Sequence, residues 1–142
     1  MTVYYQSGRI PPAAALLGWR YLGTVNDPSR VRIALTGSDA FCDLAGNVHG
    51  GLLAAMLEEV ITTTIAIATG GLSLGVTISI NVQILRSVAP GPLVGEGSIT
   101  LMGRNISFSE AQLLADGSPV ARANGCCRLV PVDPKWGSAT VD

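Results

Sequence analysis

The chain has 142 residues, of which 48% are apolar and 13% charged, and its formal net charge is −1. The near-neutral balance leaves no basic stripe and argues against nucleic acid as a partner. One domain of this size can bury one core, and a composition this apolar argues for an oligomer that covers surface between subunits.

The three cysteines are Cys42, Cys126 and Cys127. The number is odd and two are adjacent, which suits reduced thiols in an intracellular protein better than a disulfide framework. The one histidine, His49, cannot build a His-rich metal site, so neither a metal nor a cofactor is expected. Met1–Arg9 has no apolar core of signal-peptide length. Glu58 and Glu59 interrupt the best run toward the ~18 uninterrupted apolar residues of a membrane span. A cytoplasmic location is expected, with organelle import left open.

Taken in order, Pro11-Pro12 start a short helix over Ala13–Leu17, and Gly18 stops it. Residues 19–25 and 31–36 read as strands joined by a turn at Asn26-Asp27-Pro28-Ser29. A polar loop over 37–47 leads into a long helix that starts near Val48 or His49 and ends at Ala68, before Gly70-Gly71. Beyond it, Val76, Ile78, Ile80, Val82 and Ile84 alternate with Thr77, Ser79, Asn81 and Gln83, a strand with one buried face. Turns at Pro90-Gly91-Pro92, Gly103-Arg104-Asn105 and Asp116-Gly117 separate three further strands, over 93–102, 106–115 and 119–130. The tail from Pro131 is expected to be extended or frayed. The order is a hairpin, one long helix, then four antiparallel strands, an α+β arrangement in which the sheet must cover the helix.

The helix holds the clue to function. No lysine or arginine lies between Arg32 and Arg86, yet Glu58 and Glu59 sit inside an apolar run. A carboxylate that loses hydration without a partner is costly. At 100° per residue, Leu52, Leu53, Met56, Leu57, Val60, Ile61 and Thr64 form one apolar stripe, with His49 at its edge. Glu58 follows His49 by nine residues, half a turn away in rotation and ~13.5 Å along the axis. Its face also carries Ala54, Ala55, Thr62 and Ile65, which are small or apolar, so another surface is expected to cover it. A two-fold dimer would set Glu58 of one chain beside the His49-Gly50 turn of the other. A polar stripe at a dimer rim, with His49 as an ordinary helix-start residue, is the alternative. Gly50-Gly51 favour the first reading. Two glycines in a first helical turn cost roughly 1–2 kcal/mol relative to alanine. Their exposed N–H groups suit a developing oxyanion.

Asp43, then His49-Gly50-Gly51, then Glu58 nine residues after the histidine, resembles the PaaI-like branch of the hotdog-fold acyl-CoA thioesterases. The strand Gly75–Asn81 and the Gly103-Arg104-Asn105 turn carry the resemblance further, over roughly residues 15–130. It implies a single hotdog domain over residues 1–142, with a core over about 15–130 and a tail over 131–142. Its long helix is wrapped by a six-stranded antiparallel sheet. It implies dimers, often paired into tetramers, with an acyl or aryl thioester bound between subunits. It gives Gly50 N–H the thioester carbonyl, Glu58 the role of base or nucleophile, Thr77 an orienting hydroxyl, and His49 support of the loop. Gly51 lies against the substrate, and Arg104 with Asn105 is the preferred contact for the CoA phosphates, ahead of Arg86. The chain departs from the branch in carrying Glu58 where Asp is usual and Asp43 where Asn is usual. An ionised Asp cannot donate to an oxyanion, so either Asp43 is protonated, Asn47 takes over, or hydrolysis is weakened. A hotdog hydratase or dehydratase on acyl thioesters, and a non-catalytic acyl or aromatic ligand-binding hotdog protein, are the rival functions.

Overall fold

A computed structural model describes residues 10–137. The expectations for Met1–Arg9 and for residues 138–142 of the tail lie outside the described residues. Helix α1 (Pro12–Leu16) starts at its prolines and stops at Gly18, as the sequence predicts. Strands β1 (Arg20–Val25) and β2 (Asp27–Gly37) form the first hairpin. Helix α2 (Gly50–Ala68) follows, then β3 (Ser73–Ile84), β4 (Gly91–Met102), β5 (Ile106–Ala115) and β6 (Ser118–Pro131). The six strands form one antiparallel sheet in the order β1-β2-β4-β5-β6-β3. The sheet wraps α2, which packs against β2, β3, β4, β5 and β6. This is the hotdog arrangement.

The core lies between α2 and the concave sheet face. Leu53, Met56, Leu57, Val60, Ile61 and Ile65 from the helix meet Val31, Ile33, Leu35 and Leu113 from the strands. The helix sits so close to β4 that side chains are excluded beneath it. A Cβ on Gly95 would collide with Val60, and one on Gly97 with Thr64 and Val60. The Trp19 indole N–H donates to Thr63 Oγ1 at 3.1 Å inside the core, tying the segment before β1 to the helix. The helix ends as Gly71 N–H bonds Ala66 O at 2.6 Å and Gly70 N–H bonds Ile67 O at 3.0 Å. α2 has the length and apolarity of a membrane span, but those properties serve a helix surrounded by its own sheet.

Four sequence expectations change. The first turn is tighter than expected: Val25 pairs with Asp27 across Asn26, whose φ is 70°, so β2 begins four residues before Val31. Ile65 belongs to the core and not to the Glu58 face, because α2 is flanked by sheet on more than one side. The tail is ordered further than expected. β6 runs to Pro131, Val132 N–H bonds Leu72 O at 3.0 Å, and Pro134–Gly137 form a 3-10 turn.

The alternation of β3 also breaks. Thr77 pairs with Cys127 and Ser79 with Cys126, so Ile78 is an extra residue in a β-bulge. The bulge shifts the inward parity by one residue. Ile80 and Val82 face the helix side, while Val76 and Ile78 are 53% and 60% exposed and Thr77 turns inward.

Candidate active site

The loop before α2 is a small hairpin closed by the Cys42–Val48 bridge. His49 N–H bonds Phe41 O at 2.8 Å, and Val48 N–H bonds Val88 O at 2.8 Å. Asp43 organises the tip. Its Oδ1 accepts from Ala45 N–H at 2.9 Å and Asn47 N–H at 3.1 Å, and its own N–H donates to Asn47 O at 2.8 Å. An oxygen taking two backbone donors suits a carboxylate acting as acceptor. The Asn47 side-chain amide has no partner among the described residues.

His49 is the N-cap of α2. Its Nδ1 accepts Gly51 N–H at 3.1 Å, which leaves the proton of the neutral tautomer on Nε2. Gly51 N–H is thereby spent inside the loop. Gly50 N–H differs: no acceptor takes it among the described residues. A Cβ on Gly50 would meet only Ile84 Cγ1, at an ordinary 3.7 Å.

Glu58 stands exposed on α2, and Thr77 Oγ1 donates to its Oε1 at 2.8 Å. The pairing depends on the Ile78 bulge, since regular alternation through Ile80 and Val82 would turn Thr77 outward. The outward face around Glu58 carries half-buried Ala54, Ala55 and Thr62. Glu59, next along the helix, is half-buried. Desolvation, with the neighbouring Glu58 adding to it, pushes its carboxyl above the usual range.

The structure thus sorts the sequence-predicted residues into three groups. Asp43, Asn47, His49, Gly50 and Gly51 share the loop and helix start. Glu58 and Thr77 meet about two turns further along α2. Arg104 and Asn105 are exposed on the β4–β5 turn. That turn lies at the Thr77 end of the sheet: Ile106, Arg128 and Val76 pair in one cross-strand row, next to the row of Ser107, Cys127 and Thr77. Arg86 is corrected. Its Nε and Nη2 both donate to Pro119 O, at 3.2 and 3.1 Å, so it braces the start of β6. A concavity of about 680 Å³ lies on the outer sheet face and is lined by none of the predicted site residues. Several of its polar groups are paired across strands: Arg32 with Glu96 at 3.1 Å, Gln112 with Glu96 at 2.9 Å and Arg122 with Gln83 at 2.7 Å.

Sequence reasoning missed Cys127. Its side chain is wholly buried, and its Sγ lies 3.9 Å from Thr77 Oγ1. Neighbouring positions Cys126 and Cys127 fall on opposite sheet faces, and only the register of β6 against β3 shows which one meets the site. Among the described residues no group of three or more His, Cys, Asp or Glu could hold a metal ion.

A carboxylate held by a hydroxyl can activate water, and an N–H without an acceptor at a helix start can take a developing oxyanion. A family model for the thioesterase superfamily matches residues 45–121. The chain belongs to that superfamily and is a thioester hydrolase of hotdog fold. A phenylacetic acid degradation-related protein of Ralstonia eutropha superposes with a TM-score of 0.82 at 26% identity, over 89% of this chain and 98% of that one. A thioesterase of Haemophilus influenzae gives 0.79 at 16% identity, over 92% of each chain. A mutant of the phenylacetic acid degradation protein PaaI of Thermus thermophilus gives 0.70 at 21% identity, over 83% of this chain and 98% of that one. The last two likenesses are of fold. No curated protein matches the chain by sequence.

Proposed function

We propose that the protein hydrolyses an acyl or aryl thioester of coenzyme A to the free acid and CoA, at a site shared by two protomers. The observation that carries this reading is the Glu58 carboxylate. It is held at Oε1 by Thr77, its Oε2 has no partner among the described residues, and its helix has no lysine or arginine. Oε2 takes a proton from water while the water oxygen bonds to the thioester carbonyl carbon. The carbonyl oxygen becomes negative and accepts from Gly50 N–H of the partner subunit, with the Asn47 amide as a second donor. Collapse breaks the C–S bond, and the departing thiolate recovers the proton from Glu58. Asp43 acts upstream of this chemistry by shaping the loop, so its replacement of the usual Asn leaves the reaction possible. Arg104 and Asn105 hold the CoA phosphates.

The roughly 12 Å of helix axis between Gly50 and Glu58, eight residues apart, supports a shared site, because one helix cannot aim both at one carbonyl. The edge position of β3 and the exposure of Val76 and Ile78 support a dimer that continues the sheet across that edge. The phenylacetic acid degradation-related neighbours support an aryl-acetyl group over a long aliphatic chain. The test is thiol release from a panel of phenylacetyl-, benzoyl-, short- and long-chain acyl-CoAs. Glu58→Gln is expected to lower kcat by about a hundredfold or more. An undiminished rate in that variant would remove Glu58 from the reaction.

A further inference from the structure

We propose that Cys127 is a positioning residue for hydrolysis: its thiol donates to Thr77 Oγ1 and thereby directs the Thr77 proton onto Glu58. The proposal rests on the reading of Glu58 given above.

The argument begins with the hydroxyl. Thr77 Oγ1 carries one proton and two lone pairs, and it can donate to only one acceptor at a time. Two neighbours compete for its orientation, Glu58 Oε1 at 2.8 Å and Cys127 Sγ at 3.9 Å. If Cys127 accepted, Glu58 would lose its donor. If Cys127 donates, the lone-pair side of Thr77 is occupied and the proton is left to Glu58. The thiol is wholly buried, and its burial pushes it up from the ordinary cysteine range. A thiol in that state keeps its proton and is a donor.

Placement agrees with this order. Cys127 pairs directly with Thr77 across β6 and β3, at the residue before the Ile78 bulge. It sits under the helix, where the space above neighbouring Gly75 is taken by Ile65 Cδ1 and Cys127 Cβ. The same row continues to Ser107 on β5, whose hydroxyl lies 3.3 Å from Ser109 Oγ. Ser107 and Ser109 are both buried. Ser107, Cys127 and Thr77 thus form one cross-strand row of polar side chains that leads to Glu58. The thiol is the member of that row that touches the reacting pair.

The test compares kcat and KM for Cys127→Ala, Cys127→Val and Cys127→Ser, alone and with Thr77→Val. Ala and Val remove the donor, and Val keeps the space filled. Both are expected to lower kcat by roughly threefold to tenfold, the scale of one hydrogen bond, with KM unchanged. Ser keeps a donor and is expected to retain kcat within about twofold. In the Thr77→Val background, replacing Cys127 is expected to cost nothing further. A Ser variant as slow as Ala and Val, or an unchanged cost without the Thr77 hydroxyl, would overturn the assignment. Full activity in Cys127→Val beside an inactive Glu58→Gln overturns it alone. Full activity in Glu58→Gln overturns the underlying reading and this assignment with it.

Discussion

Two adjacent carboxylates on one helix have different surroundings. Glu58 is exposed and bonded to Thr77, whereas Glu59 is half-buried, and desolvation with its neighbour's charge raises its carboxyl. The folded chain therefore holds the Glu59 proton to higher pH than the unfolded chain does. Stability falls as pH rises from the ordinary glutamate range through that raised value, because the folded state then ionises against burial. Glu59→Gln is expected to stabilise the protein at pH 8 and to have less effect at pH 5. Urea unfolding of both proteins at the two pH values reads this difference. An equal gain at both would mean that Glu59 ionises in the fold as easily as in the unfolded chain. The roles of the two glutamates were partly legible in the sequence, since the rotation between them follows from helix geometry. The Thr77 bond was legible only as part of a family resemblance. Residue alternation alone puts Thr77 on the opposite face of β3, and the bulge that turns it inward left no mark in the apolar pattern.

Among the elements, α2 depends on glycines that let it lie against β4. The absence of side chains at Gly95 and Gly97 is a packing requirement of the helix above them, set by Val60 and Thr64. Gly97→Ala forces Thr64 or the helix to move and is expected to cost about 1–3 kcal/mol, read as a lower urea midpoint with an unchanged slope. An unchanged midpoint would show that the helix has room to shift. Long elements were legible because their periodicity is strong: α2, β4, β5 and β6 fall close to where the sequence predicts. What the sequence did not reveal is order within the sheet. β3 follows α2 in the chain but lies at the far edge beside β6, because the connections after it carry β4 back to β2. Hydrophobic alternation reports which face of a strand is covered, and it does not name the neighbour.

At the scale of the whole molecule, the composition and the site lead to the same conclusion. The chain keeps large apolar side chains exposed along β3 and sets Gly50 and Glu58, the two halves of the proposed site, about 12 Å apart along one helix. A second copy accounts for both. Gly50 offers a clean way to disable one half. It is the first residue of α2, a Cβ there has ordinary space, and His49 before it already has φ −58° and ψ 136°. Proline suits that helix position and that preceding conformation, and it removes the N–H. Gly50→Pro and Glu58→Gln homodimers are each expected to fold and to be inactive. The most direct test mixes the two chains after joint refolding and measures thioester hydrolysis. One intact site per mixed dimer predicts recovery of about a quarter of wild-type activity. A mixture as inactive as its parents would contradict a site built from Glu58 of one protomer and Gly50 of the other.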